Sequence, residues 1–191
     1  MSMEQGPPPA EGEADIHWLR KAIELSYRCP PSSTAFSVGS VIVAADGTVL
    51  GEGHSRRDDP GDHAEEVALR ELDPADTRLT GATLYSSLEP CSSRTSRPHS
   101  CSELVLTWPI PRVVFAWREP DLFVDCDGAE RLSAAGRTVV EYPDLAQEVR
   151  DANTHLLRVC DYRRSTSVTR MTARPSASDS ARSTSARMPQ S

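Results

Sequence analysis

Apolar and polar positions along this chain fall into blocks whose period changes from helical to strand-like and back. Ile16, Leu19, Ile23 and Leu25 recur at helical spacing, Asp15 stands where an N-cap would, and Cys29-Pro30-Pro31 stops the run. Val38 to Ala45 is apolar and β-branched, Asp46-Gly47 is a tight turn, and Thr48-Val49-Leu50 is the returning strand of a hairpin. Gly51 to Asp62 is polar and is predicted as a loop. Ala64 to Leu72 carries Val67, Ala68 and Leu69 near one face and predicts a helix ending before Asp73-Pro74. Ala82 to Leu88 predicts a buried strand, Pro90 to Ser100 a loop, and Ser102 to Thr107 a short helix. Arg112 to Trp117 is a further strand, Ala129 to Ala135 a helix closed by Gly136, and Thr138 to Tyr142 the last strand. Asp144 to Val159 predicts a terminal amphipathic helix with Leu145, Val149, Leu156 and Val159 on its buried face.

A hairpin followed by strands alternating with helices predicts an α/β fold: a mixed five-stranded sheet covered on both faces, in three layers. Residues 14–160 form the predicted domain. Residues 1–13, with Pro7-Pro8-Pro9, and the Ser/Thr/Arg-rich residues 161–191 are aperiodic and predicted as disordered ends.

Composition narrows the function classes. No run approaches the ~20 apolar residues of a membrane helix, and the acidic, Pro-rich start lacks the pattern of a secretory signal. A cytoplasmic location is expected. Five cysteines at irregular spacing do not form a disulfide framework; metal or catalytic use is expected of a close pair. The net charge is −7. Residues 161–191 hold six Arg against two Asp, so the rest of the chain is near −11. An acidic body argues against nucleic-acid binding.

The chemistry concentrates in His63-Ala64-Glu65, Pro90-Cys91 and Cys101. One imidazole and two thiols make a three-ligand Zn²⁺ site with an open fourth position, the arrangement of catalytic zinc. Each ligand is expected at or just before a helix start, where free N–H groups favour thiolate. Glu65, two residues after His63, can reach the same pocket without binding the ion and is the expected proton shuttle. His-x-Glu followed by Pro-Cys-x-x-Cys is the zinc-deaminase pattern. The first half is present, but nine residues separate Cys91 from Cys101 instead of two. The expected reaction is removal of an amino group from a heterocyclic ring.

These residues resemble the cytidine-deaminase-like superfamily, and within it the pyrimidine deaminase of riboflavin biosynthesis. The resemblance runs over residues ~15–158. It rests on Val38-Gly39-Ser40-Val41-Ile42-Val43, Gly51-Glu52-Gly53-His54, His63-Ala64-Glu65 and Ser87-Leu88-Glu89-Pro90-Cys91-Ser92. Arg94-Thr95 in the long loop, Gly128-Ala129-Glu130-Arg131-Leu132 and Asn153 add to it. It implies a cytidine-deaminase-like fold and deamination of a diaminopyrimidinone carrying a ribosylamino 5′-phosphate. It also implies a loop arginine at the phosphate (Arg94, with Arg97 second), His54 in the substrate pocket, a homodimer, and a separate reductase for the next step. The Pro-Asn-Pro of that family is absent: Thr34-Ala35-Phe36-Ser37 stands in its place, and Phe36-Ser37-Val38-Gly39 is also similar to nucleoside cytidine deaminases. Other readings stay open. One is deamination of cytidine, deoxycytidylate or another base or nucleoside. Others are a tRNA or single-strand-editing deaminase and a non-catalytic zinc module. His99 is a competing ligand; Cys29, Cys126 and Cys160 lack a partner at ligand spacing; Trp108, Trp117 and Phe123 are candidates to stack on a ring.

Overall fold

The computed structural model describes residues 11–118 and 126–157. The predicted disordered ends, apart from residues 11–13, lie outside these, as do Phe123, Val159 and Cys160. Five strands form one sheet in the order β2-β1-β3-β4-β5. The strands are β1 (Gly39–Val43), β2 (Val49–His54), β3 (Thr83–Leu88), β4 (Arg112–Trp117) and β5 (Thr138–Glu141). β1 is antiparallel to β2 and β3, whereas β3, β4 and β5 run parallel. Parallel neighbours need a crossover, and helices α3 (Cys101–Leu106) and α4 (Gly128–Ala134) supply it.

Alternation along the strands feeds two cores. Val41, Tyr85 and Val114 face the first, under α1 (Glu11–Ser26) and α5 (Ala146–Ala152). Ile42, Leu84 and Val113 face the second, under α2 (Ala64–Arg70), α3 and α4. The sheet is covered on both faces, so the expected three-layer α/β/α architecture with a mixed five-stranded sheet is the one observed. Among the described residues no helix is long and apolar enough to cross a membrane.

The structure departs from the sequence expectation at four places. β2 continues through Gly51 to His54, where a polar loop was expected. Its glycines are there because α2 lies directly on it: a Cβ at Gly53 would stand 2.6 Å from the Ala64 carbonyl, and one at Gly51 would collide with that of Ala68. Glycine in a strand marks such close backbone approach. The terminal helix is not continuous either. A 3₁₀ turn (Pro143–Leu145) precedes α5, and α5 stops at Asn153 before helical residues 154–157. A 3₁₀ turn over Thr77–Gly81 was not foreseen.

Asp15 is the fourth departure. It lies inside α1, not at its cap, and its carboxylate is buried. Arg112 of β4 donates to both of its oxygens at 2.7 Å, and the hydroxyls of Tyr85 and Tyr142 add bonds of 3.0 and 2.8 Å. One carboxylate thus ties α1 to β3, β4 and the end of β5. Burial alone would raise its pKa; the Arg112 guanidinium and the tyrosine hydroxyls outweigh burial and hold it below the ordinary range. Its stabilisation is therefore complete above the unfolded value of about 3.9 and fades as pH falls through the lower folded value. Breaking a buried ion pair costs about 3–5 kcal/mol, and partial exposure of Arg112 places this case near the lower figure. Asp15→Asn is expected to lose about 3 kcal/mol in urea unfolding at pH 7, with the gap to wild type closing below about pH 3.

Candidate active site

The site forms where the end of β3 meets the starts of α2 and α3. His63 occupies the N-cap of α2, but its side chain makes no capping bond. A Ser, Thr, Asp or Asn there would add about 1 kcal/mol. The imidazole instead faces two sulfurs, with Nδ1 3.6 Å from Cys91 Sγ and 3.4 Å from Cys101 Sγ. Cys101 is the first residue of α3, whose start is fixed by a capping box between Ser100 and Glu103. Cys91 corrects one expectation: it does not precede a helix but follows β3, and its sulfur accepts the Cys101 backbone N–H at 3.4 Å.

The three donors form a cluster of the size a zinc ion requires. The three ligand atoms lie within 4.8 Å of one another. Tetrahedral zinc with Zn–N of about 2.0–2.1 Å and Zn–S of about 2.3 Å sets an N···S edge of about 3.5 Å. The two N···S distances bracket that edge, so the donor set fits. Cys101 hydrogen bonding, with further help from His63, holds Cys91 down at about 4. The same sharing, together with burial, pushes Cys101 well up. Burial would lower His63, but the Cys91 sulfur and the Glu65 charge raise it on balance. Two thiols this close share one negative charge until a cation lets both ionise. His99 is exposed, 3.9 Å from Glu103, and outside the cluster.

Glu65, the second residue of α2, is 3% exposed. Its Oε1 accepts the Ser86 hydroxyl at 2.7 Å. Burial, and then the Cys91 charge, raise its pKa above the ordinary glutamate range. Glu65, His63 and Cys91 open onto one cavity of about 460 Å³, the size of a small-molecule pocket. Phe36, Val38 and Leu88 supply apolar wall, and Arg94 and Thr95 come from the loop between the two cysteines.

The expected substrate contacts divide. Arg94 lines the cavity, with Nε donating to His99 O at 2.6 Å and Nη1 to Glu66 at 2.8 Å. Arg97 stands outside the lining and binds Asp59 at 2.8 Å, Asp62 at 3.4 Å and Glu66 at 3.5 Å. His54 also stands outside it; its Nδ1 lies 3.2 Å from the neighbouring Ser55 carbonyl. Trp117 is occupied by an edge contact to Phe36 and by Arg150 over its ring, and Trp108 packs on the second core. Cys29 donates to Val38 O, and Cys126 lies beside Pro90 O, so neither joins the cluster.

Three residues around the site were not anticipated. Ser86 is a hydroxyl on a fully covered strand, a signal that something buried needs it. Asp62, which lines the cavity, accepts the backbone N–H groups of Asp58 and Asp59 and pairs with Arg70 at 2.9 Å. Arg56, also in the lining, is buried within a charged stretch that reads as solvated loop.

Comparison with known proteins agrees with this geometry. Residues 13–117 match the model of the cytidine and deoxycytidylate deaminase zinc-binding region. The chain is similar to a diaminohydroxyphosphoribosylamino-pyrimidine deaminase of Schizosaccharomyces pombe, 39% identical over 127 residues, covering 65% of this chain and 31% of that one. It is 37% identical over 127 residues to riboflavin biosynthesis protein RibD of Escherichia coli, covering 64% and 32%. Its structure is similar to that of Acinetobacter baumannii RibD, with a TM-score of 0.67 and 31% identity over 79% of this chain and 41% of that one. The chain thus spans about a third of the curated relatives it matches.

Metal analysis of the purified protein is expected to find zinc in wild type. His63→Ala, Cys91→Ser and Cys101→Ser are each expected to lose it to a mild chelator, because two remaining ligands hold zinc far more weakly than three.

Proposed function

The chain belongs to the cytidine and deoxycytidylate deaminase zinc-binding family, and we propose that it hydrolyses the amino group of a diaminopyrimidinone bearing a ribosylamino 5′-phosphate, the riboflavin-pathway intermediate. One observation carries the reading: a buried carboxylate, Glu65, opens onto the same cavity as the His63–Cys91–Cys101 cluster, and Arg94 stands in that cavity's wall. The named activity of the Schizosaccharomyces pombe relative supports the substrate class.

Zinc held by His63, Cys91 and Cys101 would supply a nucleophile at neutral pH by lowering the pKa of a water from about 15.7 towards 7. The chain's own residues do the rest. Glu65 takes the proton of the attacking water and returns protons to the ring nitrogen and the departing amine. Water and a ring C–NH₂ become a ring C=O and ammonia, so atoms and charge balance. A carboxyl with raised proton affinity suits both directions of transfer. Ser86 holds one Glu65 oxygen at 2.7 Å and leaves the other for the substrate. Phe36, Val38 and Leu88 grip the ring. Arg94 Nη2, which bonds to no described residue, meets the phosphate. A homodimer, a separate reductase and a cytoplasmic location belong to the same reading.

Phe36 and Val38 in the wall, within the stretch Phe36-Ser37-Val38-Gly39, favour a second reading, deamination of cytidine or deoxycytidylate. Ammonia release from a panel of aminopyrimidines and their phosphates separates the two. Turnover of cytidine with none of the diaminopyrimidine phosphate would overturn the first.

Glu65→Gln is expected to keep its zinc and lose about 10²–10⁴-fold in rate; undiminished activity would remove Glu65 from the mechanism. Arg94→Ala is expected to raise KM for the phosphorylated substrate by about 10–100-fold. The KM of the dephosphorylated analogue is expected to stay close to its wild-type value.

A further inference from the structure

We propose that Arg56 and Asn153 are positioning residues that clamp residues 34–37, one wall of the cavity, against the metal cluster and so fix which ring the cavity admits. This rests on the reading of that cavity as the substrate site.

The wall needs an external hold. Thr34, Ala35, Phe36 and Val38 line the cavity, yet Ser32 to Ser37 contains no proline and belongs to no helix or strand. Within the loop, the Ser32 hydroxyl accepts from the amides of Thr34 and Ala35. Further holds come from distant side chains. Arg56 donates Nε and Nη2 to Pro30 O at 3.0 and 2.9 Å, Nη1 to Phe36 O at 2.8 Å, and Nη2 to Ser37 Oγ at 3.1 Å. Asn153 takes the rest of Ser37: its Oδ1 accepts the Ser37 N–H at 2.7 Å, and its Nδ2 donates to Ser37 O at 3.0 Å. Both polar backbone groups of Ser37 are read by one amide, as a neighbouring strand would read them.

Arg56 connects this wall to the reacting centre. Its own backbone N–H donates to Asp62 O at 2.9 Å, one residue before the ligand His63. The same residue therefore sets the wall by its side chain and the approach to His63 by its main chain. Its backbone pays for the placement: φ is +60°, the only positive value at a non-glycine among the described residues. Strain of this kind persists only where the surroundings over-determine it, and it clusters at functional sites. The guanidinium bonds join the Pro30 carbonyl, before the wall, to the Phe36 carbonyl and Ser37 hydroxyl at its end, so these donors serve geometry. Asn153 is fully buried and stands where α5 breaks, which turns its amide onto Ser37. Phe36 is held from the other side by an edge contact to Trp117, centroids 5.6 Å apart.

Two measurements on the zinc-loaded protein test the clamp. Arg56→Gly tolerates positive φ and deletes the guanidinium; Arg56→Lys keeps the charge and loses the fork. In both, amide exchange at residues 35–37 without ligand is expected to speed about tenfold or more. KM for the best panel substrate is expected to rise about tenfold, with kcat within about threefold, because a misplaced wall weakens binding of ground and transition states alike. Asn153→Ala is expected to shift both readouts the same way. Unchanged exchange in Arg56→Lys and Asn153→Ala overturns the clamp. Faster exchange with unchanged KM overturns its part in selecting the ring. Exchange is read without turnover, so a protein that deaminates no panel compound sinks the substrate reading and still leaves the clamp decided.

Discussion

Bringing His63, Cys91 and Cys101 to one point is the constraint on which the rest of this structure depends. The two sulfurs are 28 and 38 residues from the imidazole in sequence, yet each lies within 3.6 Å of the same nitrogen. That closeness demands a short distance between the starts of α2 and α3 and the end of β3. α2 achieves it by lying on two glycines of β2, with no side chains between helix and strand backbone. α3 achieves it through the Ser100–Glu103 capping box, which fixes its first residue as the second thiol. Loop closure on this scale costs entropy, and a metal that binds only the folded arrangement returns it as folding free energy.

The same convergence explains the polar residues in the interior. A buried carboxylate is costly unless it is bonded. Glu65 is therefore met by a serine hydroxyl from a strand otherwise committed to packing. Asp62, beside the cluster, has no exposed side-chain surface and is met by two amides and two guanidinium groups. Asp15 plays the corresponding part on the opposite face, where four bonds hold α1 to the sheet. Each buried acid fixes a different contact: Asp15 a helix to β3, β4 and the residue after β5, Asp62 a loop to a helix, Glu65 the first turn of α2 to the sheet.

Much of this was legible because the signals were local. β4 has the bounds its apolar run predicts, and β3 begins one residue late. His63-Ala64-Glu65 is a weak signal by itself, but with Pro90-Cys91 and Cys101 following a strand it reads as a zinc site. What failed to show had its cause elsewhere in the chain. Gly51 and Gly53 read as loop because nothing nearby announces that α2 will cover them. Asp15 reads as a cap because its partners, Tyr85, Arg112 and Tyr142, are 70 to 127 residues away. Arg56 sits in a run of charges that looks solvated, and only the fold reveals that its guanidinium turns inward. His54 ends a strand whose length was underestimated, which leaves it outside the cavity wall.

The rim of the cavity resolves a tension in the composition. An acidic body is a poor host for an anionic ligand, and three acids, Asp59, Asp62 and Glu66, gather around Arg97, with Asp62 also lining the cavity. Arg97 spends its charge on these three acids. That leaves Glu66 already shared when it meets Arg94, whose side chain is 5% exposed. A carboxylate divided between two arginines holds each less tightly than it would hold one alone. Arg97, outside the cavity lining, thus shares Glu66 with Arg94, which lies in the lining. The two loop arginines thus differ in place, one tied to acids outside the lining and the other in the cavity wall.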